Sequence, residues 1–176
     1  VNAFPAGSRG QVVIIGYGNP LRGDDATGWH AATTLASDPR LAGADVLTRH
    51  QLTPELAKDI AHARLAVLID ASNDGDTPPG TVSIRRVTSS HPPAPTWSHH
   101  LHPTALASLA KTLYGSCPPV FLITVTGAFF GYGDQLSPAV RRALPEIAAT
   151  IDLLQATTQA DQLPYTDDWP CIRLAR

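Results

Sequence analysis

The apolar positions of this chain fall into short β-branched blocks separated by longer stretches with helical spacing. Residues 11 to 15, QVVII, place four β-branched or aliphatic side chains in succession with no polar face, which predicts a strand buried on both sides. Residues 44 to 48 predict a second, short strand, and residues 65 to 69 a further buried one that ends on Asp70. Residues 81 to 87 alternate well enough for another strand, one suited to a sheet edge, and residues 120 to 125 form the last apolar block.

Between these blocks the spacing changes to that of helices. The first predicted helix opens at Asp24 or Asp25, either of which suits the cap and the positive end of the helix dipole, and runs through Trp29 to about Ala36. Thr53-Pro54-Glu55 starts a second, with Leu56, Ile60 and Ala63 on one face. Pro103 opens a third, whose stripe of Leu106, Leu109, Ala110 and Leu113 stops at Tyr114-Gly115. Ser137-Pro138 opens the last, through Val140, Leu144, Ile147, Ile151 and Leu154, with a kink expected at Pro145.

Strands alternating with helices predict an α/β fold: a three-layer α/β/α sandwich around a twisted, mostly parallel sheet. The stretch from Asp70 to Val87 has no helical pattern, so one antiparallel strand is expected in that sheet. The 176 residues suit a single domain, with a core over about residues 11 to 156 and a polar tail over 157 to 176 expected to run on the surface or to be partly disordered.

Charge and composition narrow the class. The net charge is -2 and the 13 basic residues are scattered, so neither a nucleic-acid stripe nor a membrane-surface patch is expected. No run approaches the roughly 18 apolar residues of a membrane span, and residues 1 to 11 lack the apolar centre of a signal peptide; a soluble, cytoplasmic protein is the expectation. Cys117 and Cys171, far apart and each beside a proline, form no CxxC or Cys/His cluster and are expected as free thiols.

The candidate chemistry sits where this topology puts strand ends. Asp25 follows the first strand, Asp70 ends the third, and His99 and His100, delivered by a proline-rich loop over residues 89 to 97, precede the third helix. Two carboxylates and an imidazole at one edge can bind a divalent ion such as nickel or zinc, or position a water for hydrolysis. Taken singly each has a plainer use: Asp25 as a helix cap, Asp70 as an acceptor for turn amides, His102 as the cap before Pro103. The glycine turn is no dinucleotide fingerprint, because position 21 is Leu21 and two acids stand where phosphate would sit. No GxxxxGK[ST] loop and no GxSxG elbow occurs.

Four segments taken together, GYGNPLRGDDATG, LIDAS, SHHLHP leading to a helix that ends in LYG, and GDQLSPAVRRALP, resemble the hydrogenase maturation proteases in the same order over residues 12 to 154. That resemblance implies an endopeptidase that removes the C-terminal extension from the large-subunit precursor of a nickel-iron hydrogenase. It implies that the nickel arrives with the substrate, the resting enzyme being metal-free, and that an acid of the glycine turn, a strand-end aspartate and a histidine before a helix contact it. In this chain these are Asp25, Asp70 and His100, with His99 as the alternative because the histidine is doubled; Asp25 and Asp70 are also the catalytic candidates. Many relatives carry an Asp-Gly-Gly turn after the second strand where this chain has Arg49-His50-Gln51-Leu52, and His50 is expected to be a loop residue, with an extra polar contact at the same edge as the other possibility. Two other readings fit the same edge: a non-catalytic chaperone for a metal or metallated protein, and a small-molecule hydrolase with an enclosed pocket.

Overall fold

The computed structural model describes residues 11–88, 101–159 and 172–173. Among these residues six strands form one sheet in the order β2-β1-β3-β5-β4-β6. They are β1 (Val12–Tyr17), β2 (Asp45–Arg49), β3 (Leu65–Ser72), β4 (Val82–Val87), β5 (Val120–Thr126) and β6 (Ile172–Arg173). Four helices accompany them, α1 (Thr27–Leu35), α2 (Leu56–His62), α3 (Pro103–Tyr114) and α4 (Pro138–Gln159). The pairs β1–β2, β1–β3 and β3–β5 are parallel, while β4 is antiparallel to both β5 and β6, so among the described residues β4 is the one reversed strand, as the sequence predicts.

Alternation along each strand assigns the layers. Val12 and Ile14 of β1, Leu65, Val67 and Ile69 of β3, and Phe121, Ile123 and Val125 of β5 pack with Ala31 and Leu35 of α1 and with Val140, Ile147 and Ile151 of α4. The intervening residues, Val13, Ile15, Ala66, Leu68, Val120 and Leu122, pack with Leu56 and Ile60 of α2 and Leu106 and Ala110 of α3. Helices thus cover both faces, as a parallel sheet requires. By the same period of two, Tyr17 and Asp70 fall on the α2/α3 face.

Two strands extend beyond the predicted blocks. β1 continues through Gly16 and Tyr17, pairing with Thr48 and Arg49 of β2, and β3 continues through Asp70 to Ser72, pairing with β5 as far as Thr126. Asp70 therefore lies inside a strand instead of ending one. β4 is not an edge strand either: Ser83 and Ile84 pair with Arg173 and Ile172, so a piece of the polar tail returns to satisfy ladder groups that an edge would leave open. The edge on the other side is β2, whose residues are only partly buried. Helix α4 runs on through Pro145, where the proline and Arg141, whose carbonyl loses its helical donor, both face solvent. No helix among the described residues is long and apolar enough to cross a membrane.

The strand order has a functional consequence. From β1 the chain crosses over α1 to β2 on one side, then returns over α2 to β3 on the other side of β1, so the order reverses between β1 and β3. A crevice opens at such a point outside the carboxyl ends of the strands. Close approach of α1 to β1 sets its shape: a Cβ on Gly16 would lie 1.9 Å from the Gly28 carbonyl oxygen, and one on Gly28 would lie 2.3 Å from that of Ile69 and 2.4 Å from that of Tyr17. Gly28→Ala is therefore expected to destabilise the protein by about 3 kcal/mol or more, against no more than about 0.5 kcal/mol for Gly75→Ala, where a Cβ meets open space. Denaturant midpoints of the two variants would check the contrast, and equal midpoints would refute it.

Candidate active site at the reversal of strand order

Tyr17, Gly18, Asn19, Arg22, Asp25, His50, Gln51, Leu52, Asp70 and Leu101 line a half-open cleft of about 440 Å3 at this reversal. The turn after β1 contributes half of it. Gly18, with φ +136°, has its Cα packed on the Asp25 backbone, where a Cβ would meet the carbonyl oxygen at 1.9 Å; only glycine fits. Its amide donates to the Arg49 carbonyl, which ties the turn to the end of β2 and brings the following His50 to the same cleft.

The adjacent acids of this turn have separate environments. Asp24 is fully buried, and its carboxylate accepts hydrogen bonds from the amides of Ala128, Phe129 and Ser137 at 2.7, 3.0 and 2.7 Å. Asp25 is partly buried, accepts a hydrogen bond from the Asn19 amide at 3.0 Å and faces the cleft. Neither side chain caps the helix that follows. A single 3-10 turn, Gly23–Ala26, precedes α1, and no side-chain cap is made at the start of either. The reason is competition: each carboxylate finds amides across a turn or across the fold that hold it better than an exposed helix end would.

Asp70 reaches the cleft from the α2/α3 face of the sheet. Its carboxylate takes the Ala71 amide at 2.8 Å and the phenol of Tyr17. Burial drives the Asp70 pKa up to about 6, the bonds from Tyr17 and Ala71 oppose that rise, and the negative charge of Asp25 adds to it. The two carboxylates are therefore close enough to interact electrically. Burial and the neighbouring Asp70 charge hold the Tyr17 phenol protonated well above the ordinary range, so it remains a donor to Asp70.

His99 and His100 lie outside the described residues; Leu101, which follows them in the chain, lines the cleft. His102 is the cap residue of α3 through its backbone carbonyl, while its ring Nδ1 engages the Thr104 hydroxyl at 3.0 Å instead of an amide. His50 is a loop residue after β2, as expected, and it lines the same cleft as the two carboxylates, its ring 5.1 Å from that of Trp29, centre to centre. Tyr17 was missed as a site residue. Extending the alternation of Val13 and Ile15 by one step places it on the face of Asp70, but the glycines around it read as the end of the strand. Among the described residues, no three His, Cys, Asp or Glu side chains are grouped closely enough to hold a metal ion.

No protein-family model and no curated protein sequence matches this chain, but solved structures do. A [NiFe] hydrogenase maturation protease, HycI from Thermococcus kodakarensis, is 24% identical with a TM-score of 0.64, over 83% of this chain and 92% of that one. The fold is that of the hydrogenase maturation proteases. The hydrogenase maturating endopeptidase HybD from E. coli matches with 20% identity and a TM-score of 0.63 over 93% of this chain and 97% of that one. The hydrogenase 2 maturation peptidase from Thaumarchaeota archaeon SCGC_AB-539-E09 is 21% identical, with a TM-score of 0.62 over 83% and 98% of the two chains.

Two substitutions separate the roles of these acids. Asp24→Asn turns an amide group towards at least one of the three donors that Asp24 now satisfies and should cost about 2–4 kcal/mol in denaturant unfolding, with faster hydrogen exchange over residues 128–137. Asp70→Asn should do the opposite in a pH-dependent way. The native pKa lies above the ordinary 3.8, so ionised Asp70 opposes folding above about pH 6 and ceases to do so as pH falls towards 3.8. The variant should gain about 1–3 kcal/mol at pH 8, and this gain should fade towards pH 4. A gain independent of pH would contradict the assignment.

Proposed function

We propose that this protein is an endopeptidase that removes the C-terminal extension from the large-subunit precursor of a nickel-iron hydrogenase, and that it recognises nickel carried by that precursor. The observation that supports this most is the pairing of Asp25 with Asp70 in one half-open cleft at the strand-order reversal of a fold shared with HycI and HybD. An extended peptide can enter such a half-open cleft from the side, whereas a small-molecule site buries most of its ligand's surface.

The chemistry of the donors fits a substrate-borne cation. The charge of Asp25 opposes ionisation of the buried Asp70, so a divalent ion placed between the two carboxylates relieves that repulsion, and a precursor without the ion offers them nothing of equal strength. In this reading His100, or His99 in its place, adds the imidazole that a nickel ion favours over oxygen donors alone. Recognition of the metal then restricts cleavage to precursors whose metal has been inserted.

Hydrolysis needs a base for the attacking water and a proton for the departing amine. At the step where its carboxylate is not engaged by nickel, Asp70, ionised above about pH 6 and held in orientation by Tyr17, takes a proton from the attacking water and then hands that proton to the departing amine, which returns it to the carboxylate form. The nickel ion of the substrate polarises the scissile carbonyl or the water. No serine, threonine or cysteine lines the cleft among the described residues, which favours direct attack by water over a covalent intermediate.

The test is incubation of nickel-loaded and nickel-free large-subunit precursor with the parent protein and with Asp25→Asn, read as the size shift of the precursor. The parent should cut only the nickel-loaded form, and Asp25→Asn should lower the rate at least about 100-fold while keeping its melting temperature. His99→Ala and His100→Ala, assayed separately, identify which histidine is used: the rate should fall in the second and hold in the first. Stable complex formation without cleavage would favour a metallochaperone instead.

A further inference from the structure

Beyond the carboxylate cleft, three large side chains stand out into solvent within a small region: Tyr132 is 95% exposed, Leu21 62% and Phe129 52%. Single exposed apolar residues are ordinary, but these are joined into one surface. Arg22 and Gly133 form a parallel bridge, with the Gly133 amide donating to the Leu21 carbonyl at 3.0 Å and the Gly23 amide to the Gly133 carbonyl at 2.8 Å. The residues that precede the bridged pair, Leu21 and Tyr132, are thereby neighbours. The Asp24 amide donates to the Phe129 carbonyl at 2.8 Å, and the Arg22 guanidinium to that of Phe130 at 3.3 Å.

This ledge is built before any partner arrives. Its backbone is fixed to the glycine turn by these bonds and by the buried Asp24 carboxylate, which holds the Ala128 and Phe129 amides. Exposed aromatics on a fixed backbone lose little further entropy on contact, the property that marks the residues dominating protein interfaces. A hollow lined by Asn19, Arg22, Phe130, Gly131 and Tyr132 lies beside them, and Asn19 and Arg22 also line the carboxylate cleft. One continuous surface therefore runs from Asp25 to Tyr132.

We propose that this ledge, Leu21, Phe129 and Tyr132 with Arg22 at its rim, is the docking surface for the folded body of the precursor, next to the point where its C-terminal extension leaves. The proposal rests on the peptidase reading. The chain to which the scissile segment belongs must pass the cleft wall where Asn19 and Arg22 join the cleft to the ledge, and there it meets exposed Leu21, Phe129 and Tyr132 bordered by the positive charge of Arg22. The matching surface on the precursor is an apolar patch with an acidic border.

The experiment compares the parent protein, the double variant Leu21→Ser/Tyr132→Ser and, as a control, Leu153→Ser, an equally exposed leucine late in α4. Each is assayed for KM, kcat and melting temperature with nickel-loaded precursor, and for complex formation by gel filtration. The double variant should raise KM by about tenfold or more, with kcat within about twofold and the fold intact, while the control matches the parent. Cleavage by the parent with an unchanged KM in the double variant would overturn the ledge and leave the peptidase reading standing. Complex formation without cleavage, lost in the double variant, would support the ledge and overturn the peptidase reading. Neither binding nor cleavage by the parent would overturn both.

Discussion

The burial of one carboxylate, that of Asp24, underlies both surfaces of interest. Three amides from a segment more than 100 residues away in the chain converge on it. A charged group out of solvent is tolerable only when so satisfied, so the turn after β1 and the segment between β5 and α4 keep their places only in each other's presence. That mutual requirement fixes the Asp25 backbone at the mouth of the cleft and holds the aromatic ledge beside it.

Asp24 and Asp25 illustrate how little chemical identity alone decides. Neighbours in sequence and identical in type, they point into different surroundings: one loses all contact with water and becomes structural, the other keeps an oxygen at the cleft. Asp70 is intermediate. Tyr17 and Ala71 satisfy part of its hydrogen-bonding capacity, yet burial and the charge of Asp25 leave it destabilised when ionised. A group kept in an unfavourable state by its scaffold is available for an interaction that relieves it, and a cation or a proton from water would do so.

Much of the scaffold was legible in the sequence because burial on both faces leaves a local mark. The β-branched blocks of β1, β3 and β5, the proline-led starts of α3 and α4, and the helix-free interval before β4 each report an environment that the chain's own neighbours reveal. Asp25 and Asp70 could be singled out for the same reason, since strand ends in an open parallel sheet collect at one edge. Strand limits were less legible: Gly16 and Tyr17 read as a turn, and only pairing with Thr48 and Arg49 keeps them extended.

What the sequence by itself determined is therefore the alternation of elements, the burial of the β-branched strands on both faces, and the edge at which the acids gather. These follow from periodicity and backbone preference, which act over a few residues. Tertiary structure alone decided the strand order that opens a crevice between β1 and β3, the use of residues 172–173 to cover β4, the amides that bind Asp24, and the presence of His50 and Tyr17 beside the carboxylates. Each of these depends on groups distant in the chain competing for the same hydrogen bond or the same space, and that competition is settled only when the whole sheet has formed.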